Sequence, residues 1–490
     1  AVMRTIIQLL ENYANLIQPV VDMFKYLTGL GYDVIAFVVI EHLASPGRDK
    51  LKDDGMHVSS WLQSLAVFCG HLWKKYTGVQ LEALIQYIVN QLKDGQSLDL
   101  LVLKELIARL CNVEALEDVS DAVLQSFAGG ETLRNESQPT TQGLSRTTRA
   151  INRGYARLRE ALMPSQGEHL AFPLLVLICQ ERNSIIFNSD THHLKLIGEL
   201  YDKCQETFIQ YVDFLLSAVT PLSAYSVSLP PLVRLVRDFK LDPEVAFHLY
   251  RPMLSTVVGP KGLVGSTISD ASKGNSQAGT KRDRDGTEKE SSGRQDSAAG
   301  DEGKGSADPE KTQGLVQSED EAEVSVGHRK MKWSALLGEV RCILPGSTWK
   351  SISEQLYLTF WSLSLYDLHV PRERYQQEIE KNQFNLRTLE NTLKGGYGSE
   401  PLPQVELNKK RKEKERVEDT IKKLQSELEE QEQHVKKVAA RLENEKDTWF
   451  GACSDRQDTV TQLLQTCVLP RCSFTNADAL YCAKFVEIMH

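Results

Sequence analysis

Side chains that could carry chemistry are concentrated in LYLTFWSLSLYDLHVPRERY, the string from Leu356 to Tyr375. Its Asp367 and His369 lie two residues apart, so on a helix they diverge and cannot hold one ligand together. Its aromatic residues cover neighbouring helical faces, and a helix that is apolar on nearly all sides is a buried helix. We therefore interpret the string as core in preference to a small-molecule site. The predicted core residues are Trp349, Tyr357, Phe360 and Trp361.

Cysteines near the end of the chain are of a metal-binding type but have an unsuitable spacing. Cys467, Cys472, Cys482 and His490 form the pattern C-x4-C-x9-C-x7-H, which matches no common zinc site. Their neighbours have an apolar helical pattern, which favours buried thiols over the alternative of a zinc site. The nine cysteines of the chain are scattered, as is typical of a reducing compartment.

Sequence motifs of common enzymes are absent. The string GPKGLVGST, from Gly259 to Thr267, lacks the Gly-Lys-Ser/Thr ending of a phosphate loop and follows no predicted strand. Neither a Gly-x-Ser-x-Gly elbow nor a His-Glu-x-x-His helix occurs. We therefore predict no catalytic residue, no cofactor, no metal and no small-molecule substrate, and we interpret the protein as a non-enzyme.

Two basic segments have the charge to bind a phosphate backbone or an acidic partner. The first is a helical face formed by Arg146, Arg149, Arg153 and Arg157; a solvated face is the alternative, and the one that we favour. The second is Lys409, Lys410, Arg411 and Lys412 in NKKRKEKER, either a nuclear-import signal or the charged start of a helix. The net charge of −9 argues against a general polyanion binder.

Helical patterns must position these residues, because period-2 alternation is nowhere sustained. Apolar stripes recur every three or four residues, as in SWLQSLAVFCGHLWKKY and LEALIQYIVNQLKDG. Consecutive helices joined by short turns form pairs of about 40 residues, the length class of HEAT-like solenoids. The sequence thus predicts an all-α solenoid. No run has the ~18 apolar residues of a membrane span, and the densest, Asp33 to Leu43, is interpreted as a buried helix.

Local signals predict several helix ends. Gly95 is expected to cap one helix and Ser97 to begin the next. Ser351 and Glu354 are expected to form a capping box that opens a helix reaching to Pro371. Pro371 is then expected in the first turn of the following helix.

A heptad seam predicts a long helical arm. Apolar residues occupy its a positions from Ile421 to Trp449, while Gln431 and Glu445 interrupt the d row. An imperfect seam is expected of a helix packed against one unequal partner, so we predict a hairpin, or coiled-coil arm, with the helix after Tyr375. Whether it pairs within the chain or with another subunit stays open.

The predicted organisation has five parts. They are a helical solenoid over 1–258, a disordered low-complexity insert over 259–330, buried helices over 331–370, the hairpin arm over 371–450 and further helices over 451–490. The insert is rich in small and charged residues, so it cannot offset the entropy cost of ordering. Because the chain begins with Ala1 and ends inside a predicted helix, we interpret it as an excised fragment.

Several long strings resemble the family of the large second subunit of the THO complex. They include LGYDVIAFVVIEHL, FAGGETLR, HLKLIGELYDKCQETFIQ, PGSTWKSISEQLYLTFWSLSLYDLHVPRERY and CVLPRCSFTNADALYCAKFV, in the same order in both helical halves. The arm carries a further match at EQHVKKV. The resemblance fails only in the insert from Gly259 to His328 and in short loops.

The resemblance implies a non-enzymatic nuclear scaffold at the core of the TREX assembly. It implies a fold like the HEAT-like middle domain of initiation scaffolds, and partners that include other THO subunits and a DEAD-box RNA helicase in a large hetero-oligomer. The expected function is to couple transcription to messenger-ribonucleoprotein packaging and nuclear export. A direct RNA-binding helical-repeat protein is the alternative.

Overall fold

The computed structural model describes residues 1–113, 120–137, 144–166, 168–188, 193–220, 222–258, 324–326, 329–331, 333–393, 404–451 and 455–489. The helices of the first half are α1 Val2–Asn12, α2 Ile17–Met23, α3 Gly29–Leu43, α4 Ser60–Lys75, α5 Glu82–Lys93, α6 Leu100–Cys111, α7 Asp121–Ser126, α8 Glu131–Ser137, α9 Leu144–Leu162, α10 Ala171–Phe187, α11 Leu194–Ala218, α12 Leu222–Ser228, α13 Leu232–Arg237 and α14 Pro243–Val258.

The second half begins with two short antiparallel strands, β1 Val324–Val326 and β2 Arg329–Met331. Its helices are α15 Trp333–Val340, α16 Glu354–Ser362, α17 Leu365–Leu368, α18 Arg372–Leu393, α19 Gln404–Gly451, α20 Arg456–Leu463, α21 Leu469–Cys472 and α22 Asn476–Met489, with a π-helical turn Leu464–Val468 between α20 and α21. No strand was predicted here, and β1 and the first two residues of β2 fall within the predicted insert over 259–330. The rest of the predicted insert lies outside the described residues.

Neighbouring helices of the first half pack in layers, which confirms the predicted all-α solenoid. α4 lies between α1 and α6, and α6 in turn packs on α9 and α11. The predicted stripes are buried, including Leu65 and Phe68 on α4 and Ile85 and Ile88 on α5. One core runs from α1 through α14 and on into α16 and α22. Among the described helices, none is long and apolar enough to cross a membrane.

Helix α3 is buried on one face only, which corrects the prediction for Asp33 to Leu43. Val39 and Leu43 are in the core, whereas the Phe37 side chain is 63% exposed. The helix is therefore apolar on both faces, but the described residues cover only one of them.

One of the four predicted helix ends holds and three do not. Gly95 has φ +71°, a left-handed conformation that suits glycine after a helix. Pro371 lies directly before α18, which begins at Arg372, and is therefore not in its first turn. Ser97 is not an N-cap, because α6 begins at Leu100. The predicted capping box of Ser351 is also wrong: Ser353 is the N-cap, and its hydroxyl accepts from the Leu356 amide.

The predicted single helix over 351–370 is two helices with a break between them. Leu363 has ψ 151°, which ends α16, and Ser364 opens α17. The second helix has its own capping box, in which the carboxylate of Asp367 accepts from the amide and the hydroxyl of Ser364. The break leaves carbonyl groups of the α16 end free to accept other donors.

Three of the four predicted core residues around the break are fully buried. Tyr357, Phe360 and Trp361 are at most 1% exposed, as predicted. Trp349 is only partly buried, in a 3₁₀ turn, where its indole N–H donates to the Arg341 carbonyl. The aromatic string is therefore core, with Trp349 at its edge.

Arg471 holds the C-terminal helices on the break, and the ion pair of Asp478 with Arg251 joins this cluster to the first half of the protein. Its Nη1 and Nη2 donate to the carbonyls of Phe360 and Leu363, at 2.5 and 2.8 Å. Its Nε donates to Asp478 at 3.0 Å, and Asp478 also accepts from Arg251 of α14 at 2.8 Å. Burial disfavours the ionised form of Asp478, but these two arginines outweigh it and lower the pKa of Asp478 below its ordinary value.

His248 lies beside this cluster, stacked on Phe474 with ring centroids 4.6 Å apart. Burial, and then the charge of Arg251, lower the pKa of His248 to about 3. The unfolded chain therefore binds this proton below pH ~6.5, whereas the folded chain does not until pH is near 3. Its contribution to stability is complete above pH ~6.5 and decreases as the pH falls towards 3.

We expect the free energy of unfolding of the natural chain to fall, relative to that of His248→Phe, by up to about 1.4 kcal/mol per pH unit below pH ~6.5. Urea unfolding of both chains at pH 7 and pH 5 measures this difference. Other buried acids titrate equally in the two chains and cancel. Equal pH dependence in both chains would show that the folded His248 has an ordinary pKa.

Candidate partner surfaces and the arm junction

The arm helix α19 has different neighbours along its length. Ile421 and Leu424 share a small core with Tyr375 and Ile379 of α18 and with Leu133 of α8. Farther on, its seam residues belong to the main core of the protein; they are Val438, Leu442 and Trp449. The hairpin thus pairs within the chain, and its second half rests on the solenoid. The prediction of one unequal partner helix is corrected to two partners, which accounts for the imperfect seam.

A set of buried polar contacts, here called the arm junction, forms where these two regions meet. It joins α19 to the loop before α8 and to the link from α17 to α18. The residues of the arm junction are Ala128, Gly130, Asp367, Tyr375, Glu427, Gln431 and His434. Four of them come from FAGGETLR and SLYDLHVPRERY and His434 comes from EQHVKKV, three strings that resemble one family, while Glu427 and Gln431 precede EQHVKKV on the same helix.

Gln431 is at the centre of the arm junction and is 0% exposed. Its amide nitrogen donates to the carbonyls of Ala128, Tyr366 and His369, at 2.7 to 3.1 Å. Its amide oxygen accepts from the Tyr375 hydroxyl at 3.1 Å, and that hydroxyl accepts from the Gly130 amide at 2.8 Å. The polar interruption of the heptad seam is therefore the residue that fixes the position of the arm.

Glu427 and His434 complete the junction one turn to either side of Gln431. The Glu427 carboxylate accepts from the amide of Thr132, at 2.9 Å, at the first turn of α8, where negative charge is favourable. His434 Nε2 lies 2.7 Å from Asp367 Oδ1, and both side chains are almost fully buried. Sequence analysis placed Asp367 in a buried helix and missed this pairing. Its signal was the string EQHVKKV, whose histidine lies one helical turn before the buried d position Val438.

We expect Gln431→Leu to lower the free energy of unfolding by about 2 kcal/mol, since leucine fits the seam but leaves buried carbonyls and the Tyr375 hydroxyl without this partner. Gln433→Leu is the matched control, because Gln433 is exposed on the same helix. Urea unfolding followed by circular dichroism measures both. If Gln431→Leu is as stable as Gln433→Leu, the polar contacts do not hold the arm.

The α9 arginines do not present one uniform face. Arg157 is partly buried, and its guanidinium donates to the carbonyls of Trp73 and Val79. Burial lowers the pKa of Arg157, although Glu82 opposes this. Arg153 is exposed. Arg146 and Arg149 are in α9, but their side chains lie outside the described part of the chain. Arg157 therefore positions α9 on the solenoid, which corrects its prediction as a phosphate contact.

The basic run of the arm is on the first turns of α19, far along the helix from the arm junction. Lys409, Arg411 and Lys412 are exposed, and Lys410 is half-buried. Within the described ranges, no ion pair joins these four residues to a carboxylate, whereas Lys414 pairs with Glu390 of α18 at 2.8 Å. This run presents its charge to solvent, and no described contact links it to α9.

Two of the three C-terminal cysteines are buried, and the thiols of Cys472 and Cys482 interact with each other. Cys467 and Cys482 are buried, and burial raises the pKa of the Cys467 thiol to about 12. The Cys482 thiol faces the Val468 carbonyl at 3.7 Å. Where the chain is described, no group of three His, Cys, Asp or Glu residues has the geometry to hold a metal ion. His490 lies outside the described residues.

These features define a class of protein: an α-solenoid with a helical hairpin docked on it by buried polar contacts. Two family models match the chain, "Transcription factor/nuclear export subunit protein 2" over residues 349–490 and "Transcription- and export-related complex subunit" over residues 1–66. Through these matches, and through relatives named THO complex subunit 2, the chain is similar to the THO complex subunit 2 family.

Relatives named THO complex subunit 2 match almost the whole chain. The protein from Arabidopsis thaliana is 40% identical over 100% of this chain, and that from Homo sapiens is 35% identical over 99%. The protein from Saccharomyces cerevisiae is 21% identical over 97%. The matched regions are 25%, 26% and 24% of those proteins, so this chain spans about a quarter of their length.

Proposed function

We propose that this protein is a non-enzymatic scaffold of the THO complex, which acts in the nucleus to couple transcription to messenger-ribonucleoprotein packaging and export. Its partners in this proposal are other THO subunits and a DEAD-box RNA helicase. The observation that carries the proposal is the match, along almost the entire chain, to relatives named THO complex subunit 2.

The architecture supports a scaffold. A solenoid offers long surfaces to partners without needing a deep pocket. The arm junction and the Arg471 cluster hold the two helical halves and the hairpin in a fixed relation. A rigid scaffold can bind one arrangement of a two-domain helicase better than another, and the shift in its populations is limited by that difference in affinity.

The test is the RNA-stimulated ATPase rate of the partner helicase, with and without this chain. We expect a several-fold increase and co-elution of the two proteins at micromolar concentration. An ATPase-deficient helicase with this chain, and this chain alone, are the controls for contaminating turnover. Binding without stimulation would reduce the proposal to a tether, and no binding would contradict the helicase contact.

Direct RNA binding is the second candidate, and the exposed basic run of α19 is the observation that favours it. Lys409→Glu with Lys412→Glu is expected to weaken single-stranded RNA binding and to reduce the salt dependence of log Kd by about 1.4, from two phosphate contacts. The matched control is Lys422→Glu with Lys423→Glu, which changes the net charge by the same amount at exposed positions of the same helix.

Fluorescence anisotropy at several salt concentrations measures both double variants. Arg149→Glu with Arg153→Glu tests the α9 face in the same way. Equal affinity in all three variants and in the natural chain would remove the direct RNA-binding hypothesis and leave the scaffold proposal untouched.

A further inference from the structure

The outer face of α3 is apolar and exposed. Leu30, Val34 and Phe37 are 73%, 41% and 63% exposed. They lie at positions i, i+4 and i+7 of one helix, so their side chains project from the same side. These three residues are called the α3 stripe. Two further exposed apolar residues, Met23 and Tyr26, come shortly before α3 in the chain.

The opposite face of the same helix is in the core of the protein. Ile35, Val38, Val39 and Leu43 are at most 5% exposed. A surface helix of a soluble protein usually has a polar outer face, whereas a helix that is apolar all round is covered on both sides. A terminal repeat of a solenoid likewise needs a polar outer face. The composition of α3 is therefore that of an internal helix.

The charges near the α3 stripe restrict what can cover it. Glu41, one turn beyond Phe37, is already paired with Arg4 of α1 at 2.7 Å. The exposed Asp33 and Lys25 are of opposite sign. The surface therefore has little net charge, and it suits the apolar side of another helix better than a nucleic acid or a strongly charged peptide.

The relatives indicate where such a helix comes from. This chain spans about a quarter of their length, so most of their polypeptide lies outside the matched region. We propose that the α3 stripe is an internal stacking surface, covered in the full-length protein by an amphipathic helix from outside these 490 residues. This proposal goes beyond the scaffold function and holds whether or not a helicase binds.

The test is photo-crosslinking in the full-length protein, with a benzophenone amino acid in place of Phe37 and, as the matched control, in place of Phe384. Phe384 is 69% exposed on the hairpin. We expect Phe37 to crosslink within one polypeptide, to a peptide outside these 490 residues, as identified by mass spectrometry. A crosslink to a second copy of the chain or to another protein would overturn the proposal.

A second measurement covers the case in which the bulky probe prevents folding. Phe37→Cys and Phe384→Cys are labelled with a maleimide in the full-length protein, and each site is quantified by mass spectrometry. We expect labelling at position 37 to be at least tenfold slower than at position 384. Equal rates would show that the α3 stripe is open to solvent and would overturn the proposal.

Discussion

Arg471→Ala is expected to lower the free energy of unfolding by about 3–5 kcal/mol, since it removes one partner of a buried ion pair. The substitution leaves the carbonyls of Phe360 and Leu363 without these donors, and it leaves Asp478 with Arg251 and the Thr475 hydroxyl. It also removes the guanidinium that stacks 3.5 Å from the centre of the Tyr481 ring. The loss therefore loosens the contact of α21 and α22 with the break at Leu363, while the Arg251–Asp478 pair between the halves remains.

The measurement is urea unfolding, with Arg341→Ala as the control. Arg341 is 69% exposed and pairs with Glu354, and an exposed pair is worth only about 0–1 kcal/mol. Arg471→Lys is expected to recover little, because one ammonium cannot serve three acceptors in the planar geometry of arginine. If the Arg471 and Arg341 variants are equally stable, the buried cluster does not hold the C-terminal helices on the break.

Gly154→Ala is expected to lower the free energy of unfolding by about 3 kcal/mol through overpacking. A Cβ atom at Gly154 would lie 2.0 Å from the carbonyl oxygen of Leu110 and 2.7 Å from its carbonyl carbon. Both atoms belong to the backbone of α6, so no side-chain rotation relieves the overlap. α9 would have to move away from α6, which also strains the Arg157 contacts with Trp73 and Val79.

Gly198→Ala is the matched control for this prediction. Gly198 is inside α11, and a Cβ there meets no atom within 4 Å. Alanine is preferred to glycine in a helix by about 1 kcal/mol, so Gly198→Ala should raise the thermal midpoint while Gly154→Ala lowers it. A raised midpoint in both variants would mean that α6 and α9 are not in close contact at Gly154.

The substitutions Arg471→Ala and Gly154→Ala also bear on function. Neither residue is on a proposed partner surface, so each should impair helicase stimulation only in proportion to the loss of folded protein. A variant that is fully folded but has lost stimulation would instead show that the relation between the halves is itself required.

Apolar periodicity alone predicted much of the fold. The stripes of α4 and α5 repeat every three or four residues, and this spacing can bury one face only as a helix. The same reasoning placed Phe360 and Trp361 in the core, where both are 0% exposed. The similarity to THO complex subunit 2 was also readable from the sequence, because several long strings occur in a fixed order.

Tertiary structure decided where polar residues and breaks lie. Gln431 is only an interruption of a heptad in the sequence; its partners at Ala128, Tyr366 and His369 are 62 to 303 residues away. The break at Leu363 depends equally on a distant residue, since Arg471 donates to the carbonyl that the break sets free. Periodicity reports only which side of a helix is apolar. Contacts between residues distant in the chain decide which surface covers that side. They also decide which donor makes a hydrogen bond to each buried acceptor.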